Sequence, residues 1–165
     1  MDIVYKEIEE KHNLEVKQVI TQVGIEFGAV GEGYGPSDLE VNQMSQFYSD
    51  DLNSFYIVAL VNNSVVGGCG IAPFNSSKEV CELKKLFLLP ESRGFGVGKE
   101  CIIRCLNYAK AKGFTRCYLD TLSNMESAIS LYSHLGFKHL TKPLDGTIHN
   151  KCDIWMIKDL KNSSF

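Results

Sequence analysis

No Cys-x-x-Cys pair, no long apolar run and no surplus of positive charge occurs in this chain of 165 residues, and each absence removes a class of function. The six cysteines, Cys69, Cys81, Cys101, Cys105, Cys117 and Cys152, fall mostly within apolar stretches. They read as buried, reduced thiols, with neither a disulfide framework nor a zinc site, and no metal is expected. A membrane span needs roughly 20 consecutive apolar residues, and no stretch approaches that length, so a membrane is not an expected partner. The net charge of −3 provides no basic field, so neither is nucleic acid. Met1-Asp2-Ile3-Val4-Tyr5-Lys6-Glu7 lacks a basic segment followed by an apolar one, which speaks against a secretion signal and for a cytoplasmic location. Linkers, repeats and low-complexity segments are also missing, so residues 1–165 are expected to form a single domain.

What is present is an ordinary globular composition, 44% hydrophobic and 22% charged, with clear periodicity. Ile3 to Ile8 reads as a short strand. Leu14, Val16, Val19, Ile20, Val23 and Phe27 recur at helical spacing behind Asn13, the expected N-cap. Gly28 to Pro36 is a glycine-rich loop carrying Glu32 and Tyr34. Ser37 or Asp38 then caps a second predicted helix through Leu39, Val41, Met44, Phe47 and Tyr48. Phe55 to Val61 and Ser64 to Ala72 form a hairpin about Asn62-Asn63, and Gly67, Gly68 and Gly70 predict a bulge or a close backbone approach. Val80 to Leu89 is a strand, Gly96 to Lys112 a helix, Thr115 to Thr121 a strand and Met125 to Leu135 a helix. Phe137 to Leu140 and Ile154 to Ile157 complete the sheet. The order β-α-α-β-β-β-α-β-α-β-β is a mixed α/β or α+β layout.

The most informative stretch is Leu86-Phe87-Leu88-Leu89-Pro90-Glu91-Ser92-Arg93-Gly94-Phe95-Gly96-Val97-Gly98-Lys99. A strand leaves through a proline into Arg-Gly-x-Gly-x-Gly, and a helix starts there. Glycines let backbone N–H groups close in on a ligand, and the unpaired amides of a new helix favour an anion such as a diphosphate. The Walker A spacing fails, because Arg93 stands at its first glycine and Glu100 replaces its hydroxyl. The dinucleotide fingerprint fails too, because Lys99 stands where its third glycine belongs. The remaining pattern, Arg/Gln-x-x-Gly-x-Gly/Ala, is met by Arg93, Gly96 and Gly98.

On these residues, and on the later Tyr118-to-Phe137 segment ending Leu131-Tyr132-Ser133-His134-Leu135-Gly136-Phe137, the chain resembles the Gcn5-related N-acetyltransferase (GNAT) superfamily. The resemblance covers roughly Val58 to Phe137. It implies a mixed, mostly antiparallel sheet flanked by helices, with splayed central strands between which the pantetheine arm of coenzyme A enters. It further implies transfer of acetyl from acetyl-CoA, as acyl donor, to an amine acceptor. Arg93, Gly94, Phe95, Gly96, Val97, Gly98 and Lys99 would surround the diphosphate, with Arg93 alternatively shaping the loop. Phe87, Leu88 and Leu89 would supply backbone contacts to pantetheine, and an N–H near Leu88 the oxyanion donor. Asn124 stands one residue before the position where many members carry a pantetheine-binding Asn, so it is both a cofactor candidate and a candidate helix cap. Tyr132 is the candidate general acid for the departing thiolate, or else a packing residue. Glu82, eleven residues before Arg93, matches the register of the glutamate base of histone-type members, or else is a strand residue paired with Lys84. The alternative function is a non-catalytic acyl-CoA sensor or interaction module on the same fold, and a homodimer is compatible with either.

Overall fold

A computed structural model describes residues 1–162 and 164–165. Seven strands form one sheet in the order β1-β2-β3-β4-β5-β7-β6. They are β1 Val4–Glu7, β2 Phe55–Val61, β3 Ser64–Pro73, β4 Val80–Leu88, β5 Arg116–Thr121, β6 Lys138–His139 and β7 Ile154–Asp159. All neighbours pair antiparallel except β4 and β5, which are parallel. Three α-helices flank the sheet: α1 Asn13–Glu26, α2 Val97–Ala111 and α3 Glu126–His134.

Strand alternation sends side chains to two cores. Ile57 and Ala59 of β2 join Cys101, Ile102, Cys105 and Leu106 of α2 in one buried cluster. Tyr56, Val58 and Leu60 face the other way, onto Val16, Val19, Ile20 and Val23 of α1. The cysteines are free thiols, all buried except Cys152, which is partly exposed. No helix is long and apolar enough to cross a membrane among the described residues.

Two features of β3 and β4 set up the site. The first is a bulge: Gly68 pairs with Phe87 and Gly70 with Lys84, so Lys85 and Leu86 together oppose Cys69. Lys85 takes a left-handed φ of +56° at this insertion. One extra residue reverses the facing of everything beyond it. Cys81 and Leu83 therefore point into the α2 core, whereas Phe87 points into the α1 core. Glu82 and Lys84 are left on the face opposite α2. Tyr56 pins the bulge by donating its hydroxyl to the Lys85 carbonyl at 2.9 Å. Its ring lies against Gly68 and Gly70, where an added Cβ would come within 2.5 and 2.7 Å of ring carbons. The three-glycine run predicted a bulge or a close approach; β3–β4 has the bulge, and what approaches is an aromatic ring.

The second feature is the splay. β4 and β5 pair only from Val80 to Glu82 against Arg116 to Tyr118, and then they part. Leu83 to Leu88 and Leu119 to Thr121 thus border an opening in the middle of the sheet.

Two local expectations are corrected. The predicted second helix is instead a run of 3-10 turns, Gly35–Ser37 and Leu39–Gln46, broken by non-helical torsions at Gln43. Side chains claim its backbone: Asn13 Oδ1 accepts the Ser45 N–H at 2.8 Å, and Asn42 donates to the Leu39 carbonyl at 3.3 Å. Asn13 itself is the first helical residue of α1 and does not cap it; its side chain is spent on Ser45.

Candidate active site

The loop from β4 to α2 turns through Pro90–Ser92, where the Ser92 hydroxyl is fixed to the carbonyls of Leu89 (2.8 Å) and Val66 (3.2 Å). Gly94 and Gly96 then adopt φ of +82° and +79°, which an L-residue takes only with strain, and a Cβ on either would meet nothing. Gly96 is the N-cap of α2, and the Glu100 N–H is bonded back to its carbonyl at 3.0 Å. The leading amides of Val97, Gly98 and Lys99 therefore precede that bond and face outward at the positive end of the helix. This curved row of N–H groups, with Lys99 beside it, has the shape and charge for a diphosphate.

The loop forms one end of a cleft of ≈ 660 Å³. Of the residues proposed for cofactor binding, Leu88, Arg93, Gly94, Gly96, Val97, Gly98, Lys99 and Asn124 line it, together with Phe27, Leu86, Met125 and Ala128. Phe87 lines an adjoining cavity instead. Leu89 lines neither: its N–H is bonded to the Val66 carbonyl at 2.8 Å, and its side chain packs toward the α1 core. Phe95 is 58% exposed and also lies outside both spaces.

Arg93 does not offer its guanidinium to the loop. Its Nε and Nη2 donate to the Leu88 carbonyl at 3.1 and 2.9 Å, while Nη1 and Nη2 grip the Glu26 carboxylate at 2.6 and 2.7 Å. The guanidinium also stands over the Phe27 ring, 5.5 Å from its centroid. The hydrogen bond from Arg93 holds the Glu26 carboxyl below its usual pKa. Across the cleft, Asn124 donates to the Phe27 carbonyl at 2.9 Å. It caps no helix: Met125 is the N-cap of α3, without a side-chain bond. Residues 26 and 27 are thereby tied to both banks of the cleft.

At its inner end the cleft shares Leu86, Met125 and Ala128 with a smaller cavity of ≈ 80 Å³. Glu82 and Tyr132, which are 50 positions apart in the sequence, both line this cavity, as do Tyr34, Asp120, His149 and Cys152. The Tyr132 ring packs edge-on against Phe137, with centroids 5.9 Å apart. Burial lifts its phenol well above the usual range, so it remains a neutral O–H donor at any physiological pH. Glu82 is raised as well, first by burial; Asp120 adds to the rise, and Lys84, His149 and Lys85 oppose it. Among the described residues none donates a hydrogen bond to Glu82, and its ion-pair contact is a long one, 3.7 Å to His149 Nδ1.

The other charges at this end are mutually satisfied. His149 is placed between two carboxylates, with Nδ1 2.9 Å from Asp120 and Nε2 2.7 Å from Asp38. Burial works against charge on the ring, but the bonds to Asp120 and Asp38 prevail and carry its pKa up to about 9. Asp38 also takes Lys85 Nζ at 2.6 Å; these partners overcome its burial and bring it down to about 2. Glu40 receives both Lys85 (2.9 Å) and Lys84 (3.0 Å). Thr147 donates to the second oxygen of Asp120 at 2.6 Å.

Sequence reasoning missed Asp120, gave His149 no metal spacing and no other role, and weighed Asp38, with Glu26, Glu32 and Tyr34, either as selecting a cationic amine or as a cap or solvated loop charge. Glu82, Asp120 and His149 bring ligand-type atoms within 4.8 Å of one another. A metal ion, however, needs a neutral imidazole with a free lone pair. Both ring nitrogens of His149 lie at hydrogen-bond distance from carboxylates, which when ionised can only accept, so the trio fits a charge network better than a metal centre.

The family profile described as Acetyltransferase (GNAT) family matches residues 25–137, from the end of α1 to the start of β6. An Escherichia coli K12 protein named uncharacterized N-acetyltransferase YjgM is 37% identical over 150 residues, 90% of this chain and 89% of that one. Among solved structures, a GNAT-family acetyltransferase from Staphylococcus aureus Mu50 superposes with a TM-score of 0.80 at 20% identity, covering 97% of this chain and all of the other (100%). The PaiA N-acetyltransferase of Thermoplasma acidophilum, in complex with coenzyme A, superposes with a TM-score of 0.77 at 20% identity, covering 96% of this chain and 99% of that one.

Proposed function

Because the chain belongs to the GNAT acetyltransferase family, we propose that it transfers an acetyl group from acetyl-CoA to a primary amine of a small molecule or peptide, by direct attack on the thioester. The observation that carries this reading is the continuity of the two spaces. A cleft that starts at outward-facing amides opens, past Leu86, Met125 and Ala128, into a cavity holding a carboxylate that receives no hydrogen bond from the described residues and a neutral phenol. The coenzyme A complex of the structurally similar Thermoplasma protein supports the choice of donor.

In this reading the amides of residues 94–99 and the Lys99 ammonium hold the diphosphate. Leu86, Leu88 and Ala128 enclose the pantetheine arm, and Asn124 lies alongside it. The acceptor arrives as an ammonium, since a lysine-type amine has a pKa near 10.4. Glu82, desolvated and therefore a stronger base than a surface carboxylate, takes its proton. The freed nitrogen attacks the thioester carbonyl, and a backbone N–H near Leu88 receives the developing oxyanion. As the C–S bond breaks, the Tyr132 hydroxyl delivers its proton to the thiolate, and the second proton of the acylated nitrogen returns to the Tyr132 phenolate, giving a neutral amide and free coenzyme A, with the first proton left on Glu82 to pass to solvent.

The test is release of free thiol from acetyl-CoA in the presence of a panel of primary amines. Release that depends on an amine supports transfer. Tight acetyl-CoA binding with no release from any amine would instead indicate a sensor. In the same assay Tyr132→Phe should lower kcat by roughly 10- to 100-fold while leaving the Kd for acetyl-CoA within about threefold. Equal losses in both would reduce Tyr132 to a packing residue.

A further inference from the structure

The base assigned above stands in an unusual electrostatic setting. A buried carboxylate with no hydrogen-bond donor ordinarily protonates, and a protonated Glu82 could accept nothing from an ammonium. Lys84, His149 and Lys85 oppose this, Lys84 first; the two lysines are engaged by Glu40 and Asp38, and His149 has been given no role so far. His149 lies on the segment between β6 and β7 and is 5% exposed. Its two ring nitrogens reach carboxylates on separate parts of the fold: Asp120 near the end of β5, and Asp38 just beyond the glycine-rich loop.

We infer that His149 is a positioning residue that acts through Glu82: clamped between Asp120 and Asp38, its ring joins three segments into one wall of the cavity and sets a fixed positive charge beside Glu82. The inference rests on the reading of Glu82 as the base.

The groups packed around the ring support a lasting imidazolium. Asp38 and Asp120 contact it directly, and Glu82 stands 3.7 Å from Nδ1. Lys85 opposes its charge from the β4 bulge, but Lys85 is itself bonded to Asp38 and Glu40. Lys84 shares Glu40, while Tyr118 and Cys152, both near Asp120, are neutral because burial raises each of them. Over the ring lies the backbone of Gly35, where a Cβ would sit 3.9 Å from Nε2 and 3.8 Å from Lys85 Nζ. Among the described residues, two carboxylates in contact and one nearby outweigh Lys85, the cation that opposes charge on the ring. The imidazolium therefore persists through neutral pH. The sign of its effect on Glu82 follows: a positive charge lowers a carboxylate pKa, so its loss moves Glu82 further upward.

The experiment pairs NMR titration with kinetics on the full chain. In the wild type, both ring nitrogens of His149 should read as protonated in ¹⁵N spectra at pH 7.5. A neutral tautomer there would overturn the proposal without recourse to any variant. The Glu82 side-chain ¹³C titration, assigned by its loss in Glu82→Gln, should move up by about one pH unit in His149→Gln. The acid limb of kcat/KM should move with it, and His149→Lys, which restores the charge, should bring both back toward the wild type. A merely structural brace would give a different result: Gln and Lys would raise KM alike, with the Glu82 titration and the acid limb unmoved. Absence of thiol release with every amine, together with the expected titrations, would defeat the acetyltransferase reading and leave the charge arrangement standing. Thiol release with an unmoved Glu82 would do the reverse.

Discussion

Glu82→Gln should lower kcat/KM by roughly 10²- to 10⁴-fold at neutral pH, the span typical of removing a general base. The substitution keeps volume and shape, and the Glu82 carboxylate receives no hydrogen bond from the described residues whose loss could disturb the fold. Its effect on stability should even run the other way. A carboxyl whose pKa is raised by burial destabilises the folded chain when ionised, so a neutral amide there should hold or raise the melting temperature. Activity lost without stability lost is the signature of a residue retained for chemistry. The deficit should also shrink as pH approaches the amine's own pKa near 10.4, where the acceptor sheds its proton unaided. A deficit that persists undiminished at pH 10, or a fall in melting temperature of several degrees, would count against the role.

Gly96→Glu should weaken acetyl-CoA binding by roughly 100-fold. The added Cβ meets nothing within 4 Å, so in the free protein the cost is the strain of φ +79° alone. In the complex a carboxylate would stand where α2 presents its positive end to the diphosphate. A repulsion of about 2.8 kcal/mol between such charges corresponds to a hundredfold. Gly96→Ala separates the two causes, because it carries the strain without the charge. Calorimetry should find the alanine variant within about tenfold of the wild type. Equal weakening by Ala and Glu would show that loop conformation, and not charge at a diphosphate, sets the affinity.

The glycine loop was legible because its chemistry is local: a proline-ended strand, a glycine at the helix cap and a second glycine two residues on are contiguous in the sequence. The Asn62-Asn63 turn was legible for the same reason, and both residues take positive φ, 50° and 66°. Asn13 and the 37–48 stretch were misread because distant partners overrode local propensity; Asn13 and Ser45 satisfy one another across 32 positions. Lys85 also draws Asp38 and Glu40 to β4, away from any cap role. The acceptor end was the least legible part. His149 meets Asp120 at a separation of 29 and Asp38 at 111, and no periodicity or ligand spacing encodes such meetings. Asp120 did carry a signal, the one carboxylate of β5, set beyond the apolar Cys117-Tyr118-Leu119 run and one residue before the strand ends at Thr121. Glu82 came from the resemblance, but its missing hydrogen-bond donor emerges only once the bulge at Lys85 fixes which face it occupies.

The central claim is that the opening between β4 and β5 delivers a thioester to Tyr132 and Glu82. A crystal structure of the protein with acetyl-CoA tests it most directly. The expected result has the diphosphate on the amides of residues 94–99 and the sulfur within about 3.5 Å of Tyr132 Oη, with the acetyl group directed toward Glu82. Acetyl-CoA bound elsewhere, or with its sulfur remote from both side chains, would contradict the account.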